Sequence, residues 1–208
     1  MEKQATEHKL HHQSIPSTVS TSTDSIDIDS LSPKQVESDT WLDKILNEKG
    51  ILDITKNILS LVNDENKLIN TFNKNSCIIS TKIYLSKQAE KLPSIISVIE
   101  LGKNIESHSN VVHGGFSATL VDNCLGILAA QLYKFPVTKT LNLAYKKPIL
   151  PGQTIVIISR VKDSEQENNE SMIQSDRCTL ISEIFNMNQD VLLSSEAVFV
   201  DISGRVKK

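Results

Sequence analysis

The sequence has no cluster of basic residues, no paired-cysteine motif, no metal-ligand spacing and no internal repeat. Each absence removes a class of function. With 22 Lys and Arg against 25 Asp and Glu spread along the chain, there is no electrostatic footprint for a nucleic acid or an anionic membrane surface. The three cysteines, Cys77, Cys124 and Cys178, are an odd number at wide spacings. That argues against a zinc site or a redox pair and fits a reducing compartment. No apolar run reaches the roughly 20 residues that cross a bilayer. The N-terminus has neither an apolar signal core nor an Arg-rich, acid-poor transit composition, and it carries Glu2 and Glu7. The expected location is intracellular, with cytoplasm and mitochondrion both open.

What is present is enough chain, 208 residues, for one domain with a proper core. Residues 1–38 are rich in Ser, Thr, Asp and His and poor in large apolar side chains. They cannot bury enough surface to offset chain entropy and are expected to form a disordered arm. His8, His11 and His12 read as part of that solvated arm, since nothing nearby completes a metal site. Residues 39–74 are expected to form a helical N-terminal cap. Trp41, Leu42, Ile45 and Leu46 recur at helical spacing behind Asp39 or Thr40 as a cap, Gly50 stops the run, and Leu52, Ile58, Leu59, Leu61 and Val62 suggest a second helix. Residues 75–202 are the expected main domain, and 203–208 a C-terminal tail.

Within the main domain, Cys77–Leu85 and Pro93–Leu101 partly alternate as strands do. After a central segment come four more such stretches, Lys139–Tyr145, Thr154–Lys162, Arg177–Asn186 and Val191–Asp201, separated by short turns. Strands, one long helix and then a run of strands is an α+β pattern with an antiparallel sheet. The segment from Gly114 to about Tyr133 is apolar on nearly every side, the mark of a buried helix. In a domain of this size only the sheet, curled around it, can bury it. This is a hotdog fold, an antiparallel sheet wrapped around a long central helix, here with an N-terminal helical extension.

Two polar features interrupt that helix. At its start, His113-Gly114-Gly115 lets the backbone come close to a ligand, and the first amides of a helix are free donors backed by partial positive charge. Such an end can hold a carbonyl oxygen as negative charge develops on it. In its middle sits Asp122 among apolar neighbours, where desolvation works against the charged form unless a donor compensates. Asp122 follows His113 by nine residues and Gly115 by seven, roughly 13 and 10 Å along a helix axis. One reacting carbonyl needs its base and its oxyanion donors within about 3 Å. One helix cannot supply both, whereas two antiparallel helices in a dimer can, with Gly115 from one chain and Asp122 from the other.

These residues resemble the acyl-CoA thioesterases of the hotdog thioesterase superfamily. The likeness is strongest over HGGFSATLVDNCLG, where HGG is followed by a carboxylate nine residues after the histidine, and extends to TLNLAYKKPILPG. It covers about residues 75 to 202. It implies Asp122 as nucleophile or general base, the Gly115 amide as oxyanion donor and His113 as a group orienting the loop or the thioester. It also implies Thr138, sixteen residues after Asp122, as a positioner of water or of the carboxylate. It implies Asn110 as the stand-in for a polar loop residue that in some relatives lies farther ahead of the histidine, the loop here being shorter, and Gly114, Phe116 and Asn123 are expected along the substrate. The implied reaction is thioester hydrolysis without a metal or organic cofactor, on acyl-CoA, in a homo-oligomer (dimer or tetramer) whose site crosses the subunit interface.

Other readings of the same residues are weaker. A serine-hydrolase elbow at Gly115-Phe116-Ser117-Ala118-Thr119 lacks its second glycine. Cys124 reads as a core thiol, and Gly126 as a point of close helix-to-sheet or helix-to-helix approach. Two further functions fit the fold: an acyl-CoA or lipid binder that does not turn over, and a dimeric interaction module using the arm or the Trp41 helix.

Overall fold

The computed structural model describes residues 40–65, 71–72, 75–88, 92–107, 110–162 and 175–205. The expected arm, with its three histidines, and the polar loop at 164–171 lie outside these residues. The order of elements is α1 (Trp41–Leu46), β1 (Ile51–Asp53), α2 (Thr55–Glu65), β2 (Ile78–Ser86), β3 (Ser94–Leu101), α3 (Gly114–Leu132), β4 (Pro136–Tyr145), β5 (Thr154–Val161), β6 (Arg177–Asn186) and β7 (Val191–Asp201). All seven strands form one antiparallel sheet in the order β1-β2-β3-β5-β6-β7-β4. The hotdog fold expected from the sequence is the fold observed.

Alternation along the strands decides what lies on each face. In β5, Ile155 and Ile157 point into the main core with Leu125 and Leu128 of α3, while Val156 and Ile158 face the other way, beneath α1. At 19 residues, α3 is long and apolar enough to cross a bilayer by length and composition. Its packing against β3, β5 and β6 accounts for that composition, since Val121, Leu125, Leu128 and Ala129 are fully buried there. A row of short side chains, Ser159, Ser182 and Ser195, crosses β5, β6 and β7 in register. Their hydroxyls are satisfied locally, by a 3.0 Å contact between Ser159 and Ser182 and a 3.1 Å bond from Ser195 to the Ser182 carbonyl. Each of the three buried hydroxyls therefore has a hydrogen-bond partner.

The cap residues do more than form helices. Thr40 is the residue that caps α1: its hydroxyl accepts from the Asp43 amide, and the Asp43 carboxylate accepts from the Thr40 amide. Trp41 packs on Phe185 with ring centroids 5.9 Å apart, and its indole donates to the Met187 carbonyl at 2.9 Å. Leu52, expected in the second helix, instead belongs to β1, which pairs with β2. Gly50 makes this possible. At φ +94° its backbone approaches Lys87 so closely that a Cβ would lie 2.5 Å from the Lys87 carbonyl oxygen. The second helix then starts at Thr55, whose amide donates to the Asp53 carboxylate at 2.9 Å.

Candidate active site

The start of α3 is held from three sides. The His113 amide donates to the Ile105 carbonyl at 2.9 Å, and Val112 donates to Ile149 at 2.8 Å, which fixes the approach of the loop. The His113 ring then folds back over the first turn, and its Nδ1 accepts the Gly115 amide at 3.0 Å. The His113 carbonyl takes the Phe116 and Ser117 amides. From β4, the Tyr145 hydroxyl donates to the Gly114 carbonyl at 2.8 Å. The two glycines are needed for these approaches: a Cβ at Gly114 would stand 3.2 Å from the Tyr145 hydroxyl, and one at Gly115 would stand 3.0 Å from the His113 ring.

Two turns further along, Asp122 is half-buried and its Oδ1 accepts the Thr138 hydroxyl at 2.8 Å. A bulge in β4 between Thr138 and Thr140 makes the contact possible. Strict alternation would put Thr138 on the face opposite Leu141, Leu143 and Tyr145; the extra residue, Lys139, brings all four to the helix side. β4 thus runs antiparallel to α3 and holds it at two points, Thr138 on Asp122 and Tyr145 on Gly114.

On α3, Gly115, Ala118, Thr119, Asp122 and Gly126 fall at offsets of 3, 4, 7 and 11 residues from the first and so share one face. None of the five is fully buried. A Cβ at Gly126 would meet nothing within 4 Å. The close helix-to-sheet approach expected there is therefore absent, and the face is open.

The remaining expected site residues lie elsewhere. Asn110 is an exposed turn residue with φ +56°, a conformation that Asn tolerates better than most. Phe116 points into the core, packed edge-on against Phe72 at 5.0 Å. Asn123, about 100° round the helix from Asp122, faces a small enclosed space with Ile58, Leu59 and Ser97. Cys124 is fully buried, and burial pushes its thiol up to about 11, partly offset by a hydrogen bond with Ser97. It is a neutral core thiol. Among the described residues no three His, Cys, Asp or Glu side chains group as a metal site requires.

Sequence reasoning assigned no role to Tyr145, Lys146 and Lys147. They line a cleft of about 420 Å³ beside the start of α3, together with Ser107, Gly114, Ser117 and Ile149. Lys147 pairs with Asp190 at 2.6 Å, and this bond, with one from Asn186, holds the Asp190 carboxyl below its ordinary range. The signal lay in the doubled lysine of the AYKKP stretch, next to the glycines in space and thirty residues away in sequence.

Residues 109–166 match the model of the thioesterase superfamily. The fold is a hotdog, a seven-stranded antiparallel sheet around α3. Several solved structures are similar to this chain. The PaaI protein of the E. coli phenylacetic acid degradation operon is 13% identical with a TM-score of 0.52, over 71% of this chain and 92% of that one. The zebrafish thioesterase superfamily member 2 is 16% identical with a TM-score of 0.50, over 69% and 92%. Against another thioesterase superfamily protein, 23% identical with a TM-score of 0.46, the alignment covers 57% of this chain and 53% of that one. No curated protein sequence matches the chain.

Proposed function

We propose that the protein hydrolyses acyl-CoA thioesters, with Asp122 as nucleophile or general base. The observation that carries this reading is the Asp122–Thr138 hydrogen bond on the open face of α3, the same face that presents Gly115. A carboxylate with one oxygen held by a hydroxyl keeps its second oxygen for a water or for the thioester carbon. If water attacks, Asp122 takes its proton; if Asp122 attacks, a mixed anhydride forms and is then hydrolysed. Either way the electron pair moves to the carbonyl oxygen and then expels the CoA thiolate.

The oxyanion donor comes from a second copy of the chain. Gly115 lies about 10 Å along the axis from Asp122 on the same helix, too far to share a carbonyl. The open face of small residues on α3 and the free edge of β4 together suit a two-fold pairing in which two helices lie antiparallel. Phe135, Val137 and Tyr145 are exposed apolar side chains along that edge, as a buried interface requires. Lys146 at the cleft supplies positive charge for the phosphates of CoA, next to Lys147, which is paired with Asp190.

One observation favours the alternative, binding without turnover: the Gly115 amide is already taken by the His113 imidazole. Turnover requires the exposed His113 ring to turn away as the thioester carbonyl arrives. The test is thiol release from short, medium, long and aromatic acyl-CoAs by the wild type and by Asp122→Asn. Release lost in the variant supports hydrolysis. Acyl-CoA binding with no release by the wild type supports the binder.

A further inference from the structure

The Gly114–Gly115 peptide unit is engaged at both ends. Its carbonyl oxygen accepts the Tyr145 hydroxyl at 2.8 Å, and its N–H donates to His113 Nδ1 at 3.0 Å. A peptide is one conjugated dipole: withdrawing electron density at the oxygen makes the nitrogen-bound hydrogen more positive. Hydrogen bonds in such a chain strengthen one another. The Gly115 N–H is the group assigned above to the oxyanion. We propose that Tyr145 is a positioning residue which, through the Gly114 carbonyl, both aims and polarises that donor.

Three features of the chain serve this arrangement. Gly114 leaves only 3.2 Å between the place of a Cβ and the Tyr145 hydroxyl, so a larger residue there would push the two apart. The bulge at Lys139 keeps Tyr145 and Thr138 on the same side of β4, so one strand steadies both the carboxylate and the donor peptide. Tyr145 is also 56% exposed in the single chain, on the β4 edge assigned above to the pairing of two chains, so the second chain that completes the site would cover this hydrogen bond and strengthen it.

The inference rests on the thioesterase reading, and Tyr145→Phe tests it while keeping the ring. In 1H–15N spectra of the intact protein, the Gly115 amide proton should move upfield in the variant while amides from Leu120 onwards stay in place. For an acyl-CoA that the wild type turns over, kcat should fall about ten-fold with KM unchanged, less than the loss of a direct oxyanion donor. An unmoved Gly115 resonance, an unchanged kcat, or a rise in KM in place of the fall in kcat overturns the proposal. So does a shift spread along the whole of α3, which would mark lost helix placement. Absence of turnover by the wild type is a different failure: it removes the thioesterase reading and leaves Tyr145 a structural contact only.

Discussion

The sheet ends on one side in β1, three residues long, and on the other in β4, ten residues long. β1 continues directly into α2 and follows α1, whose Leu42 is buried against Ile96 and Val156. β4 has β7 along one side and no strand along the other among the described residues. Long free edges attract further strands, and proteins usually shorten or cover them. Here the β1 edge is short and the β4 edge is left bare by the described residues, with Thr138 and Tyr145 on it holding Asp122 and Gly114 of α3. On the proposed function, assembly and chemistry share the β4 edge, while the β1 edge is tied to the N-terminal helices.

The comparison can be broken most sharply at the carboxylate. Asp122→Asn keeps the size of the side chain, and thiol-release assays should show kcat reduced about 10³-fold, the usual scale for losing a general base or nucleophile. Gly126→Leu attacks the pairing itself. Within one chain it fills open space and improves helix propensity by roughly 1 kcal/mol. It should therefore raise or preserve the melting temperature of the single chain while light scattering shows dimers lost and activity falls about 100-fold. Thr138→Val removes only the hydroxyl that holds Asp122 and should reduce kcat about ten-fold. On the opposite side, Trp41→Ala should cost about 2 kcal/mol in denaturant unfolding, through lost packing on Phe185 and the lost bond to Met187. Turnover per folded dimer should then stay unchanged at 25 °C.

How much of this was legible in the sequence depends on the range of the forces involved. The strands and α3 were legible because burial on a sheet imposes alternation, and burial inside one removes the polar face from a helix. Their observed ends fall within a few residues of the expected ones, the start of β4 being the farthest at Pro136 against Lys139. β1 was not legible: three residues are too few to show a period, and Leu52 fitted the spacing of the next helix equally well. At the site, the Thr138 hydroxyl donates to Asp122. The bulge that lets them meet leaves no mark in the sequence, because it depends on pairing with β7. Tyr145 was hidden for the same reason. Its partner is a backbone carbonyl thirty-one residues away, and side chains that serve backbone groups have no motif. Phe116 and Asn123 take different directions from Asp122, because a helix turns neighbouring residues about 100° apart, and those directions are set by packing that the motif does not spell out.

The proposed function requires Asp122 of one chain to work with Gly115 of another. Subunit mixing tests it most directly, using Asp122→Asn and Gly115→Pro, the second of which deletes the N–H itself and stands in the first helical turn, where proline is tolerated. Each variant alone should be inactive. After unfolding and refolding together, half of the dimers are mixed, and each mixed dimer has one doubly damaged site and one intact site, so about a quarter of wild-type activity should return. No recovery in a mixture shown by mass to contain mixed dimers would contradict the account and place both groups of each site within a single chain.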